Sequence, residues 1–145
     1  MGQKDGMRSF FPEAALDPAR LVVLAGKYVN NPPLYSKLMK LGFEAASLPD
    51  FAHMAAITFA DTVVSHQPFT DRLLFHELVH VVQYQKLCLS QFSAQYVKGF
   101  LNGGSYEASP LEMNAYELEA RYAAEPAKLF SVADQVQRWI AENRF

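Results

Sequence analysis

Residues 70–87 read Thr70-Asp71-Arg72-Leu73-Leu74-Phe75-His76-Glu77-Leu78-Val79-His80-Val81-Val82-Gln83-Tyr84-Gln85-Lys86-Leu87. Neither Gly nor Pro interrupts the run, and Thr70-Asp71 supplies a helix start, so the spacing predicts a helix over residues 72–87. Its apolar positions lie nearly all round the axis, which predicts that the helix is buried. Two imidazoles and a carboxylate nevertheless stand in its middle. Burying all three is costly unless something pairs them, and a metal ion does so directly.

The spacing of these three residues has a chemistry. His76 and His80, at i and i+4, share one helix face about one turn apart. Both can therefore meet one zinc ion, each at roughly 2.0–2.1 Å. Glu77 is rotated about 100° from His76, which sets its carboxylate beside the metal, within reach of a bound water. Zinc lowers the pKa of such a water to about 7, so a base at Glu77 can take its proton near neutrality. The bland alternative is a surface helix with incidental histidines. The apolar surroundings of the motif argue against it.

A catalytic zinc site keeps about three protein ligands and one open position, so a third ligand must come from elsewhere. The stretch Ser109-Pro110-Leu111-Glu112-Met113-Asn114-Ala115-Tyr116-Glu117-Leu118-Glu119-Ala120 reads as a second helix. On it Glu112, Ala115, Tyr116 and Glu119 share a face, while Glu117 points away. Small Ala115 lets this helix approach the first. Glu112 is the expected third ligand, and Glu119 the expected partner that fixes a ligand imidazole, with Glu119 as the alternative ligand. Ser109-x-x-Glu112 is also a capping box, in which Glu112 would bond back to the backbone of Ser109.

With these residues in view, the chain resembles the gluzincin group of zinc metallopeptidases. More narrowly, Ile57-Thr58-Phe59, Leu74-x-His76-Glu77-Leu78-Val79-His80-x-x-Gln83 and Pro110-Leu111-Glu112-x-x-Ala115 resemble minimal bacterial gluzincin-like domains. The likeness spans roughly residues 55–120. It implies a zincin-like fold with an edge strand beside the active-site helix, along which a peptide could lie as an added strand. It also implies that the glutamate of the second helix is the third ligand, which carries over to Glu112.

The remaining chain reads less sharply. Residues 1–11 look like a loose leader. Asp17-Pro18 predicts a helix over residues 19–28, broken at Asn31-Pro32-Pro33. A second short helix is predicted over residues 34–41, closed by Gly42. Residues 55–59 and 62–65 are β-branched and aromatic runs around Ala60-Asp61, a hairpin or two segments of an edge strand. Ser90 predicts a cap for a helix over residues 91–101, and Ser109-Pro110 starts one that runs to about Ala124. Pro126 then opens or kinks into a last helix through Ile140. The expectation is one α+β domain over residues 1–145, mostly helical after Pro68.

Composition narrows the function classes. Half of the residues are hydrophobic and 19% are charged, which suits a globular chain rather than a disordered one. A net charge of −2 supplies no basic footprint, which argues against nucleic acid as a partner. The one cysteine, Cys88, cannot form an internal disulfide and reads as a small core hydrophobe on a buried helix. No apolar run has the length of a signal core or a membrane span, so a soluble cytoplasmic protein is expected.

Lesser candidates surround the motif. Gln83 shares the face of His76 and His80 and is expected to line the cleft or to hold a ligand. Tyr106 is a candidate donor to the oxyanion of a tetrahedral intermediate, against an ordinary core-edge role. Tyr96 ranks behind it. His53 and His66 are isolated and read as loop residues. Together these point to zinc-dependent hydrolysis of a peptide or protein substrate. The rival is a metal-holding scaffold without turnover, acting as a binding or toxin-accessory module.

Overall fold

The computed structural model describes residues 2–31, 34–42, 51 and 53–145. The chain folds as a mostly helical α+β domain. In order it forms a 3-10 turn at Gln3–Met7, α1 (Glu13–Leu16), β1 (Arg20–Val23), α2 (Leu34–Lys40), β2 (Ala56–Phe59) and β3 (Thr62–Ser65). There follow α3 (Asp71–Gly103), a second 3-10 turn at Tyr106–Ala108, α4 (Pro110–Ala124) and α5 (Val132–Ala141). Among the described residues no helix is long and apolar enough to cross a membrane.

Helix α3 organises the rest. Thr70 caps it, its Oγ1 accepting from the backbone N–H of Leu73 at 3.0 Å. Leu74, Phe75, Leu78, Val79, Val81 and Val82 are all buried, and the core assembles around them. Leu118 of α4 and Val136 and Trp139 of α5 close one side. Phe75 stacks on Tyr122 at 4.5 Å, while Phe10 and Phe11 meet it edge-on. Such ring pairs add order as well as buried area.

Residues 55–65 form a hairpin. β2 pairs antiparallel with β3, and Ala60 turns the chain at φ 54, a left-handed conformation usually given to glycine. Among the described residues the sheet order is β1-β3-β2, with β2 at an edge, and β2 packs against α3.

Four expectations from sequence are corrected. Residues 19–28 do not form a helix: Arg20–Val23 is strand β1, parallel to β3. Asp17 closes α1 instead of opening a helix, its N–H bonding to Glu13 O at 2.8 Å. The Leu21-Val22-Val23 run suits a strand, and the partner that recruits it lies some forty positions ahead. Residues 1–11 are not a loose leader where described, since Met7, Phe10 and Phe11 are buried in the core. Cys88 is exposed rather than buried, because it breaks α3 at φ 58, ψ 166, and the chain resumes helix after it. The last helix begins not at Pro126 but at Val132, where Ser131 Oγ accepts from Asp134 N–H. The short helix before Gly42 does form, and Gly42 stops it at φ 97. Pro32 and Pro33 lie outside the described residues.

Candidate metal centre

His76, His80 and Glu112 come together between α3 and α4. Each is about 6% exposed, and one ligand atom from each lies within 4.8 Å of the others. Nε2 of His76 stands 2.7 Å from Glu112 Oε1, and Nε2 of His80 stands 3.3 Å from Glu112 Oε2. Two imidazoles one turn apart thus aim the same ring nitrogen at one carboxylate. Fully buried Ala115, one turn along α4, is small enough to let the helices approach this closely.

The far side of each imidazole is held as well. His76 Nδ1 donates to Glu119 Oε2 at 2.8 Å, and Arg72 Nε donates to the other oxygen of Glu119. His80 Nδ1 donates to Gln83 Oε1 at 2.8 Å, and Gln83 Nε2 donates onward to the carbonyl of Leu111 at 2.9 Å. With a proton fixed on each Nδ1, each Nε2 is the atom left for a cation. Gln83 therefore ties the imidazole helix to the residue just before Glu112. Glu119 sits behind His76, on the opposite ring nitrogen from Glu112.

Glu112 does not form the capping box. Ser109 makes no side-chain cap bond, and its buried Oγ has no hydrogen-bond partner. Both carboxylate oxygens of Glu112 are instead turned to the histidines, and Tyr96 O–H donates to Oε2 at 3.3 Å.

Electrostatics follow from this packing. Burial by itself would push His76 down, but the hydrogen bonds to Glu112 and Glu119 outweigh it and carry the imidazole up to about 10. Burial likewise disfavours the charged form of His80, and Glu112 beside it reverses the direction to upward. Glu112 is opposed by burial and favoured by His80 and His76, which hold it well below the usual carboxylate range. The cluster is thus a proton-bridged ion pair whose donor atoms could hold a divalent cation. Two imidazole nitrogens and one carboxylate oxygen, preorganised and buried, suit zinc and other borderline divalent ions.

Glu77 stands apart from the three donors. It is buried at 5% exposure, and its Oε2 accepts from Thr58 Oγ1 at 2.6 Å. A cavity of about 600 Å³ reaches His76, Glu77, His80 and Glu112 together. Strand β2 forms one wall, and Tyr84, Phe92 and Tyr96 form another, with the Tyr84 and Phe92 rings stacked at 3.7 Å. Burial, and then the negative charge of Glu77, push the Tyr84 phenol up to about 12. Tyr116 lays its ring against His76 at 4.6 Å.

Other candidates fall elsewhere. His53 is exposed at the cavity and is not one of the three converging donors. His66 is structural: Nδ1 donates to Met54 O at 2.6 Å, and Nε2 accepts from Val29 N–H at 3.1 Å. The side chain of Tyr106 lies outside the described residues. Sequence reasoning missed the roles of Thr58 and Arg72. Arg72 was discoverable, being one turn before His76 on the same face; Thr58 acts across a tertiary contact that no local pattern reports.

Compared with models of protein families, with characterised proteins and with solved structures, the chain matches none.

Proposed function

We propose that this chain is a zinc-dependent peptidase of gluzincin-like type, in which His76, His80 and Glu112 hold the ion and Glu77 carries the proton. The observation that supports it best is a division of labour. Three buried donors, two histidines and one glutamate, converge on one point, while a separate acid, Glu77, lines the same cavity without joining them. A closed structural site would fill all four positions with protein ligands.

A bound zinc ion supplies Lewis acidity, polarising a carbonyl and lowering the pKa of water. The chain's own residues do the rest. Glu77, oriented by Thr58, accepts a proton from the attacking water at its carboxylate and returns it to the leaving amine nitrogen. Glu119 and Gln83 keep both imidazoles in one tautomer. The edge of β2 that faces away from β3, unpaired among the described residues, offers backbone groups to an extended peptide, and the aromatic wall excludes water around it.

The test has two stages. Zinc content of the purified chain is measured by atomic spectroscopy, and a broad peptide library is then digested with and without chelator. Chelator-sensitive cleavage that disappears in Glu77→Gln, with zinc retained, is the expected result. Zinc without cleavage of any peptide would transfer the case to the scaffold reading. Cleavage at the parent rate in Glu77→Gln refutes the assigned mechanism.

A further inference from the structure

Arg72 stands one helical turn before His76 on the same face of α3. Its Nε donates to Glu119 Oε1, and Glu119 Oε2 in turn accepts from His76 Nδ1. The Glu119 side chain is 12% exposed and has both oxygens engaged, so it is a fixed anchor. The Arg72 side chain is 62% exposed and lines the cavity. Nε accounts for its hydrogen bonding among the described residues, which leaves the two terminal amino groups of the guanidinium for a ligand. Around it the cavity is lined largely by apolar and aromatic side chains, among them Ile57, Phe59, Leu73 and Val97, and Arg72 is its one lysine or arginine among the described residues.

A guanidinium held by a partly buried carboxylate at one edge and open at the other is preorganised for a carboxylate, which it can grip with two parallel N–H bonds. Less side-chain freedom is lost on binding because the anchor has already been set. We infer that Arg72 recognises a carboxylate on the substrate, so that the cleft takes peptides carrying an acidic group close to the scissile bond. The inference rests on the peptidase reading and names its substrate class. The carboxylate has two sources, an Asp or Glu side chain and a free C-terminus, and matched peptides separate them.

The experiment uses the full zinc-loaded chain carrying Glu77→Gln, so that binding is read without turnover. Fluorescein-labelled octapeptide pools are titrated by anisotropy in two arms: Glu against Gln at a single position, and a free C-terminal acid against its amide. In at least one arm the acid should bind roughly tenfold to hundredfold tighter, the span of one charge-assisted pair. That arm identifies the source. Adding Arg72→Gln should equalise acid and neutral peptides, and Arg72→Lys should restore part of the preference. A role confined to holding Glu119 would weaken all peptides alike, with zinc stoichiometry falling in parallel. Equal binding of acid and neutral peptides with Arg72 present, or a preference that survives Arg72→Gln, overturns the inference. Acid preference in a chain that cleaves nothing would remove the hydrolytic reading and leave the recognition standing; cleavage without acid preference does the reverse.

Discussion

The hydroxyl of Thr58, on edge strand β2, donates to the Glu77 carboxylate across 2.6 Å, and both side chains are buried. Strand and helix are thereby joined at the residue assigned the proton transfer. Thr58→Val keeps shape and volume but leaves a carboxylate oxygen without its donor. We expect a stability loss of about 1–3 kcal/mol, the cost of stranding a buried acceptor. Hydrolysis should fall about tenfold or more at unchanged zinc content, because the base is no longer held in line. Thr58→Ser should recover most of both. Thermal melts and kcat on one peptide decide it; a Val variant as active as the parent removes Thr58 from the mechanism.

Zinc affinity should fall in two tiers. Glu119→Gln removes the negative charge behind His76 Nδ1, and Gln83→Leu strips the acceptor from His80 Nδ1; such outer contacts are worth about 10–100-fold in affinity. Glu112→Ala removes a donor and should cost more than either. Competition with a chromophoric chelator measures all three. If Glu119→Gln weakens zinc more than Glu112→Ala does, the assignment of the third ligand is reversed.

On the proposed reading protons and zinc compete for the same atoms, which gives zinc binding a pH dependence of known sign. His76 titrates near 10 in the metal-free fold, so below that value zinc must displace its proton. Affinity should rise about tenfold per pH unit for each proton released, over roughly pH 6 to 8. The stability of the metal-free chain runs otherwise. The raised His76 contributes fully below its ordinary value of 6.5, and the contribution is lost as pH climbs through about 10. The depressed Glu112 contributes above its ordinary 4.5 and is lost in acid. Urea melts without zinc should therefore show greatest stability from this cluster between those ordinary values, while zinc affinity still climbs beyond them. Zinc affinity flat across that range would contradict the proton-bridged cluster.

What could be read from sequence was what local chemistry decides. Thr70 and Pro110 start helices where their side chains suit the first turn, and Ala60-Asp61 turns a hairpin between two β-branched runs. The histidine face of α3 followed from the helical period alone. Long-range partners were invisible: β1 exists because β3 offers it a parallel edge, and in residues 17–23 the helix signal of Asp17-Pro18 stands against the strand preference of Leu21-Val22-Val23 with nothing local to decide between them. Glu112 shows the limit most clearly. Its local sequence is a capping box, and only the neighbouring histidines turn its carboxylate away from Ser109. Cys88 was misread because an apolar run continues through a break that backbone geometry makes, not composition.

Gly99 tests whether the second half of α3 sets the position of Glu112. It is buried, and a Cβ there would meet Ser109 Oγ at 2.7 Å, Pro110 Cδ at 2.8 Å and the Ser109 Cα at 2.9 Å. Ala in a helix ordinarily gains about 1 kcal/mol over Gly. Here two of the three contacts are ring or backbone atoms at the start of α4, which cannot rotate away, and overpacking of this kind costs about 1–3 kcal/mol. The clash should prevail. Gly99→Ala should lower the melting temperature and also weaken zinc binding, since Glu112 lies in the first turn of the helix being pushed. An exposed control, Gly6→Ala, has open space and should change neither. Stabilisation by Gly99→Ala at undiminished zinc affinity would show that α4 tolerates the shift, and that Glu112 is held from the α3 histidines rather than from its own helix start.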